Sequence, residues 1–355
     1  MSGPPDFVEI SSDGDVILVC GEQFQNGQVK KLKVSSAALS LGSSGMKTMF
    51  KPHFKEGTDL RRSVGGSPLE VSLPEDDPLA MEIICYVLHL RNDKVNMSNE
   101  LSAECILRVA MASDKYDCRI AMMYFAQTWL SRASTDEQEL HVLFTAAYLF
   151  GNNEAFRRLG RGLVLELSSH AFVAATEYAR EHLQAALRTI DWKRKKIRKS
   201  VHAAIGEVID ARSTLRKNSK VPHTCVPGCG IAEICLAEFI QSLKQSDLYP
   251  LKAIKTLTIE RLRHNTMRAD HVPPKEALAC ASPDCIGRTQ NLSKGCIPYL
   301  FFTGFDMEHT LVGPCLTCFR EDELDRLEGC KHFEVRIRDK RKYHSPEEVI
   351  RQAAS

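Results

Sequence analysis

The order of strand and helix patterns in the first quarter of the chain places the strongest constraint on its fold. Residues 15–20, DVILVC, form a β-branched run, and residues 28–34, QVKKLKV, alternate in part, so both are predicted strands. The Asn-Gly pair between them favours the positive φ of a hairpin turn. Residues 57–68 contain three glycines and a proline and predict a loop, and residues 69–73, LEVSL, alternate and predict a third strand. A small sheet is therefore expected at the start of the chain.

Two short helices are predicted between the second and third strands, in the stretch SSAALSLGSSGMKTMF. Ser35 or Ser36 can cap the first helix, which Gly42 ends, and Ser43 or Ser44 can cap the second. The serine hydroxyls accept hydrogen bonds from amides that have no partner in the first helical turn. The serines therefore predict where the two helices begin.

A longer helix follows the third strand. The stretch PEDDP supplies an aspartate cap, Asp76 or Asp77, and then a proline suited to a first helical turn. Residues 79–90 then place apolar side chains on one helical face, and two more helices are predicted near 101–114 and 117–131. The acidic cluster at 75–77 is interpreted as a turn and a cap, not as a catalytic carboxylate pair.

The segment 13–130 resembles the BTB/POZ domain, because strand, strand, helix, helix, strand, acidic turn and helix occur in that order. The matching stretches are DVILVC, KVSSAALSLGSSGMKTMFKPHFKEG and LEVSLPEDDPLAMEIICYVLHL. The resemblance implies a small sheet flanked by helices. With its helical middle and thiol-rich remainder, the chain is similar to filamentous-fungal BTB proteins. Many BTB domains carry a His-Lys pair before the first helix, where this chain has Ser35-Ser36, so peptide binding of the transcription-factor type is not implied.

The resemblance implies protein interaction, through homodimers, hetero-oligomers or recruitment to a cullin-type ubiquitin ligase. Adaptors of that ligase often place a hydrophobe-x-Glu motif after the second helix, and Phe54-Lys55-Glu56 has this form. The hydrophobe would fill a pocket on the cullin and the carboxylate would accept hydrogen bonds. A solvated loop is the alternative interpretation of the same residues.

A long basic helix is predicted over residues 183–217, after helical patterns that fill 136–182. Its segment KRKKIRK at 193–199 is open to several interpretations: a nuclear import signal, a contact with phosphate groups, or a solvated helix face. A basic amphipathic helix can also lie on a membrane or bind an acidic partner. Trp192 beside it is predicted as a core anchor. The candidate residues for import or anion binding are Lys193, Arg194, Lys195, Lys196, Arg198 and Lys199.

Nine of the 13 cysteines follow residue 220, which predicts metal binding in the C-terminal third. Zinc takes four tetrahedral ligands, and short gaps such as the one in GPCLTCFR let two thiolates reach one ion. The candidate ligands are Cys225, Cys229, Cys280, Cys285, Cys315, Cys318, Cys330 and His332. The 315/318 pair would join either the 280/285 pair or the 330/332 pair, and the 225/229 pair would form another site. Redox thiols and plain core cysteines are the alternatives.

The composition and the motifs of the sequence exclude several classes of function. The hydrophobic content of 43% and net charge of +2 are ordinary for a globular protein. The N-terminus has no basic start followed by an apolar core, so no signal peptide is expected, and no apolar run is long enough for a membrane span. We therefore expect an intracellular protein of the nucleus or cytoplasm, without a membrane partner. No phosphate loop, nucleophile turn or His-Glu-x-x-His helix is present, so an enzyme is not expected.

The sequence thus predicts an α+β fold: a BTB/POZ domain at 13–130, a helical region at 131–220, a helical cysteine-rich module at 221–340 holding structural zinc, and a tail at 341–355. The expected function is a protein-interaction scaffold that associates with itself or with another protein through the BTB domain. The first alternative is a cullin adaptor. The second is a nuclear DNA-associated regulator, although nucleic acid is not an expected partner.

Overall fold

The computed structural model describes residues 5–24, 28–62, 67–95, 101–214 and 231–269, with side chains described except at 211–214 and 231–235. These residues form two compact units. Within the described part, the first unit comprises residues 5–162 and 174–184, and the second comprises 163–173 and 185–269. The domain boundaries predicted at 130, 220 and 340 stay predictions. The fold is mixed α+β and mostly helical, with one small sheet in the described residues, as the sequence predicts.

The sheet has four strands in the order β1-β3-β2-β4. β2 pairs antiparallel with β3 and parallel with β4, and β1 pairs parallel with β3. The side chains of Val16, Leu18 and Cys20 point into the core, because alternate residues of a strand face the same side. The three predicted strands are confirmed, whereas β1 was not predicted. The strands are β1 (Asp6–Glu9), β2 (Val16–Cys20), β3 (Lys30–Val34) and β4 (Leu69–Leu73).

The two predicted helices between β3 and β4 are confirmed as α1 (Ser36–Gly42) and α2 (Ser44–Met49). The hydroxyl of Ser35 accepts from the first turn of α1, and that of Ser43 accepts from the first turn of α2. The serine pattern therefore predicted both starts correctly. The predicted turn between β2 and β3 includes residues 25–27, which lie outside the described part of the chain.

Residues 55–62 form a helix, α3 (Lys55–Arg62), where the sequence analysis placed a loop from residue 57 onward. The loop prediction was wrong over 57–62. Gly57 signalled a turn, but here its missing side chain lets α3 lie directly against the preceding backbone. A Cβ atom at this position would collide with the carbonyl of Lys51 and lie 2.5 Å from the carbonyl oxygen of Phe50.

Three longer helices complete the part of the first unit next to the sheet: α4 (Pro78–Leu88), α5 (Ala103–Lys115) and α6 (Arg119–Leu130). Asp77 caps α4, and Pro78 occupies its first turn, as predicted. Asp76 has a different role. Its carboxylate accepts a hydrogen bond of 2.5 Å from the Tyr116 hydroxyl and one of 2.7 Å from the Lys115 ammonium. The predicted turn and cap therefore also fix the end of α5.

His89 connects the start of α1 to the end of α4. The Ser35 amide donates to Nε2 of His89 at 2.9 Å, and Nδ1 of the ring lies 2.7 Å from the Cys85 carbonyl oxygen. Nε2 must therefore be unprotonated, and Nδ1 carries the hydrogen. Burial lowers the pKa of His89, although the hydrogen bond to Cys85 opposes this effect.

We expect the stability of the first unit to fall as the pH drops below the ordinary histidine pKa of about 6.5. The unfolded chain takes up this proton at a higher pH than the folded chain, so protonation favours unfolding. A His89→Gln variant places its side-chain oxygen near the position of Nε2, where it can accept from Ser35, but it does not titrate, and its urea midpoint is expected to depend less on pH between about 7 and 5. An equal pH dependence in both proteins would contradict this role for His89.

The rest of the first unit is helical, with an aromatic core. The rings of Phe144 and Phe156 stack at 4.2 Å between centroids, and Trp129 lies 5.6 Å from Phe125 and 6.5 Å from Phe150. Such contacts bury large apolar area between neighbouring helices. The helices here are α7 (Glu137–Phe150), α8 (Asn153–Glu166), whose last turn belongs to the second unit, and α10 (Glu177–His182).

The second unit is built around the long predicted helix, observed as α11 (Gln184–Thr214). Its apolar stripe is buried at Leu187, Ile190, Ile197, Val201 and Ile205. A short 3₁₀ helix at Leu251–Lys255 lies between the last two described helices. The other helices are α9 (Ala171–Ala174), whose last residue belongs to the first unit, α12 (Ile231–Gln245) and α13 (Ile259–Arg268).

Candidate interaction surfaces

The predicted adaptor motif lies at the beginning of α3. Phe54 is 47% exposed immediately before the helix, Lys55 is exposed, and Glu56 is half-buried in the first turn. The Phe54 amide donates to the Lys51 carbonyl at 3.1 Å, and the Phe54 carbonyl accepts from Thr58 at 3.0 Å. Phe54 therefore presents an apolar ring to solvent on a backbone that is hydrogen-bonded on both sides.

A second exposed apolar surface lies on α6, which the sequence analysis missed. Ile120 is 90% exposed, Met123 67% and Tyr124 66%. Their spacing of i, i+3 and i+4 puts them on one side of the helix, and we name them the α6 face. The other side of α6 is buried in the core at Met122, Phe125 and Trp129, which accounts for an almost wholly apolar helix sequence, RIAMMYFAQTWL.

Leu41, at the end of α1, is a further large apolar side chain and is 92% exposed. The next residue, Gly42, lies against α6, since a Cβ atom there would be 3.9 Å from the Cβ atom of Ala121. These large side chains on neighbouring helices leave apolar area in contact with water, which solvates it poorly. Contiguous patches of this kind are typical of surfaces that bind another protein.

Hydrogen bonds at the start of α2 hold the α6 face in place. The Ser43 hydroxyl donates to the Tyr116 carbonyl at 2.5 Å, and the Gly45 amide donates to the same oxygen at 3.1 Å. The Ser44 hydroxyl bonds to the Asp117 carboxylate, in the turn just before α6. A Cβ atom at Gly45 would lie 2.7 Å from the Tyr116 oxygen, so this approach needs glycine. The surface is therefore preformed.

Three buried thiols beside the sheet are poor nucleophiles and poor metal ligands in the folded state. Burial raises the pKa of Cys20 to about 12, with the nearby Asp76 carboxylate as the next cause, and that of Cys118 to about 11. Burial also raises the pKa of Cys85 well above its ordinary value. The reactive form of cysteine is the thiolate, which these sites disfavour.

The predicted zinc ligands lie outside the residues that the structure describes. This applies to Cys225, Cys229, Cys280, Cys285, Cys315, Cys318, Cys330 and His332. Within the described ranges, no group of three or more His, Cys, Asp or Glu side chains is placed to hold a metal ion. Structural zinc therefore stays a prediction from the cysteine spacing.

The structure divides the six cations of KRKKIRK between the interior and the surface. Lys193 and Arg194 are only 8% and 3% exposed. The Arg194 guanidinium donates to the carbonyls of Ser169 and Leu167, each at 2.5 Å, and to the Asp191 carboxylate at 3.1 Å. Asp191 in turn accepts from the Ala171 amide at 3.0 Å.

Arg198 likewise stabilises the fold, since its guanidinium donates two hydrogen bonds, of 2.7 and 3.1 Å, to the Leu257 carbonyl. Lys195, Lys196 and Lys199 are exposed. The six side chains therefore do not form one surface patch, and a receptor that reads all of them would have to break the interactions of Arg194. The prediction of Trp192 as a core anchor was wrong, because the residue is 40% exposed.

Comparisons of the chain with protein-family models, with curated proteins and with solved structures found no match. In the part of the chain that the structure describes, no helix is both long enough and apolar enough to span a membrane.

Proposed function

We propose that this chain is a protein-interaction scaffold and that its first unit is an interaction module of the BTB/POZ type. The order of elements from β2 to α4 supports the assignment, since apart from the additional helix α3 it follows the order that the sequence resemblance implies. The observation that carries the proposal is the exposed α6 face, whose preceding turn is hydrogen-bonded to the start of α2. A partner that covers this surface removes several large apolar side chains from water.

Self-association through the α6 face is the first mode we propose. Burying a large apolar side chain completely contributes about 1.5–3 kcal/mol, so Ile120 and Tyr124 together stabilise an interface by about 3 kcal/mol or more. That corresponds to roughly 100-fold or more in Kd. Removing both side chains is therefore expected to convert an associated chain into a monomer at micromolar concentration.

The test is light scattering after size exclusion of the full chain and of the double variant Ile120→Glu/Tyr124→Glu. The double variant is expected to elute as a monomer, and the unmodified chain as an oligomer. Val173→Glu is the matched control, because Val173 is 72% exposed on a helix of the second unit. A monomeric unmodified chain would contradict self-association, and an oligomer unchanged by the double variant would contradict the role of the α6 face.

Recruitment to a cullin is the second candidate, and the exposure of Phe54 favours it. We expect a purified cullin N-terminal region to bind the full chain, and Phe54→Ala to weaken this binding by about 10-fold or more, since the ring alone is worth about 1.5–3 kcal/mol when buried. His53→Ala, one residue earlier on the same exposed turn, is the control. Calorimetry that shows no binding by the unmodified chain would reject the adaptor function and leave the scaffold function intact.

A further inference from the structure

The outward side of α11 forms a compact basic surface around an exposed aromatic ring. Trp192, Lys195, Lys196 and Lys199 are all exposed, and we name them the outer basic face. At 100° per residue they lie within an arc of about 100°. The buried stripe of Ile190, Ile197 and Val201 lies on the opposite side of the helix, so the fold holds this face towards solvent.

The positive charge of this face is not neutralised within the described part of the chain. Lys195 and Lys199 form no ion pair with any described residue. The Lys196 ammonium lies 4.9 Å from the centroid of the Trp192 ring, a cation–π distance. Asp191 is the single acid between residues 188 and 202, and its carboxylate is engaged by Arg194 and by His170 at 2.7 Å. The face is therefore complementary to an anion.

The surroundings of Trp192 favour a nucleic acid over an anionic membrane. A helix that binds at a membrane surface inserts a broad apolar side into the lipid. The apolar side of α11 is buried in the protein, which leaves one tryptophan for insertion. An exposed aromatic ring among lysines is instead the arrangement by which proteins hold single strands, with phosphates on the cations and an unpaired base stacked on the ring. A duplex has its bases already stacked and offers no such face.

We propose that the outer basic face binds single-stranded nucleic acid, with Lys195, Lys196 and Lys199 on phosphates and Trp192 stacked against a base. This activity goes beyond the proposed interaction function and uses the other unit of the chain. The face extends about 10 Å along the helix, at 1.5 Å per residue, so it contacts only a few nucleotides. Binding is expected to be independent of sequence and sensitive to salt. Three phosphate contacts to a single strand give a slope of about −2 in a plot of log K against log salt concentration.

The experiment is fluorescence anisotropy of a labelled single-stranded oligothymidine titrated with the full chain. We expect the triple variant Lys195→Gln/Lys196→Gln/Lys199→Gln to lose binding and its salt slope to approach zero. Trp192→Ala is expected to weaken binding by roughly 5- to 150-fold, the range for loss of one base-stacking contact. The matched control is Lys244→Gln/Lys252→Gln/Lys255→Gln, which removes the same charge from exposed positions of the same unit.

A second measurement separates stacking from plain charge attraction. The chain has two tryptophans, and Trp129 is only 1% exposed in the first unit. Quenching of tryptophan emission by unlabelled oligothymidine is therefore expected to come from Trp192, and to disappear in Trp192→Phe.

Three results would overturn the proposal. They are equal loss of binding in the control triple variant, duplex binding as tight as single-strand binding with no effect of Trp192→Ala, and retention on phosphatidylserine vesicles without retention of the oligonucleotide. All the substituted side chains are exposed, so circular dichroism is expected to show a folded protein in each case.

Discussion

Replacing Arg194 by methionine is expected to lower the free energy of unfolding of the second unit by about 3–5 kcal/mol, because it removes one partner of a buried ion pair. Methionine preserves most of the side-chain volume, so the loss is one of hydrogen bonds and charge. The carbonyls of Ser169 and Leu167 lose their guanidinium donor, and the Asp191 carboxylate loses the guanidinium that donates to it at 3.1 Å. Few single substitutions elsewhere on this helix should approach that cost.

Lys195→Met is the control for Arg194→Met. It removes the same charge from the next residue, whose side chain is exposed, and should change the free energy of unfolding by no more than about 0.5 kcal/mol. Urea unfolding followed by circular dichroism gives the stabilities. Hydrogen exchange should show faster exchange in residues 163–173 and 185–210 of the Arg194 variant. Equal stabilities in the two variants would show that the guanidinium does not support the fold.

The position of Arg194 also shows how much of this site could be predicted from the sequence. Ile190, Ile197, Val201 and Ile205 repeat at helical spacing, and Arg194 occupies a position of the same stripe. The charge of KRKKIRK is treated above as one property of the segment, although the apolar stripe includes Arg194 and excludes the three exposed lysines. Helical periodicity therefore had enough information to predict the division. The carbonyls that Arg194 reaches come from a distant segment and were not predictable.

The local chemistry of the first unit was predictable where a short-range signal decides the structure. Serine and aspartate caps fixed the starts of α1, α2 and α4, because the bond from side chain to amide spans only a few residues. β1 was missed because a strand of four residues, Asp6–Glu9, with an exposed Phe7, has no alternation long enough to read. Its parallel pairing with β3 is a tertiary contact.

The α6 face was missed for a related reason. A helix that is apolar on nearly every side predicts burial on every side, and the sequence does not say which side the chain itself covers. The structure covers Met122, Phe125 and Trp129 and leaves Ile120, Met123 and Tyr124 exposed. The apolar residues of α6 in excess of those that the core covers can be identified only once the buried side is known.

Gly57→Ala is expected to destabilise the first unit by about 1–3 kcal/mol or more, the cost of adding a methyl group where there is no space. The added Cβ atom would meet the carbonyls of Lys51 and Phe50, which are backbone atoms and cannot rotate away as a side chain can. The start of α3 must then shift, and with it the exposed ring of Phe54. Cullin binding, where present, should weaken together with stability, whereas self-association through the α6 face should persist in the folded fraction.

Gly206→Ala is the matched control for Gly57→Ala and should change the stability in the opposite direction. Gly206 lies within α11, and a Cβ atom there has no neighbour within 4 Å. Alanine is the better helix former by about 1 kcal/mol, so this variant should be more stable than the unmodified chain. Thermal unfolding of the two variants and of the unmodified chain shows whether each substitution lowers or raises the stability. A Gly57→Ala variant as stable as the unmodified chain would mean that α3 does not need its close approach to residues 50–51, and that Phe54 is not held rigidly for a partner.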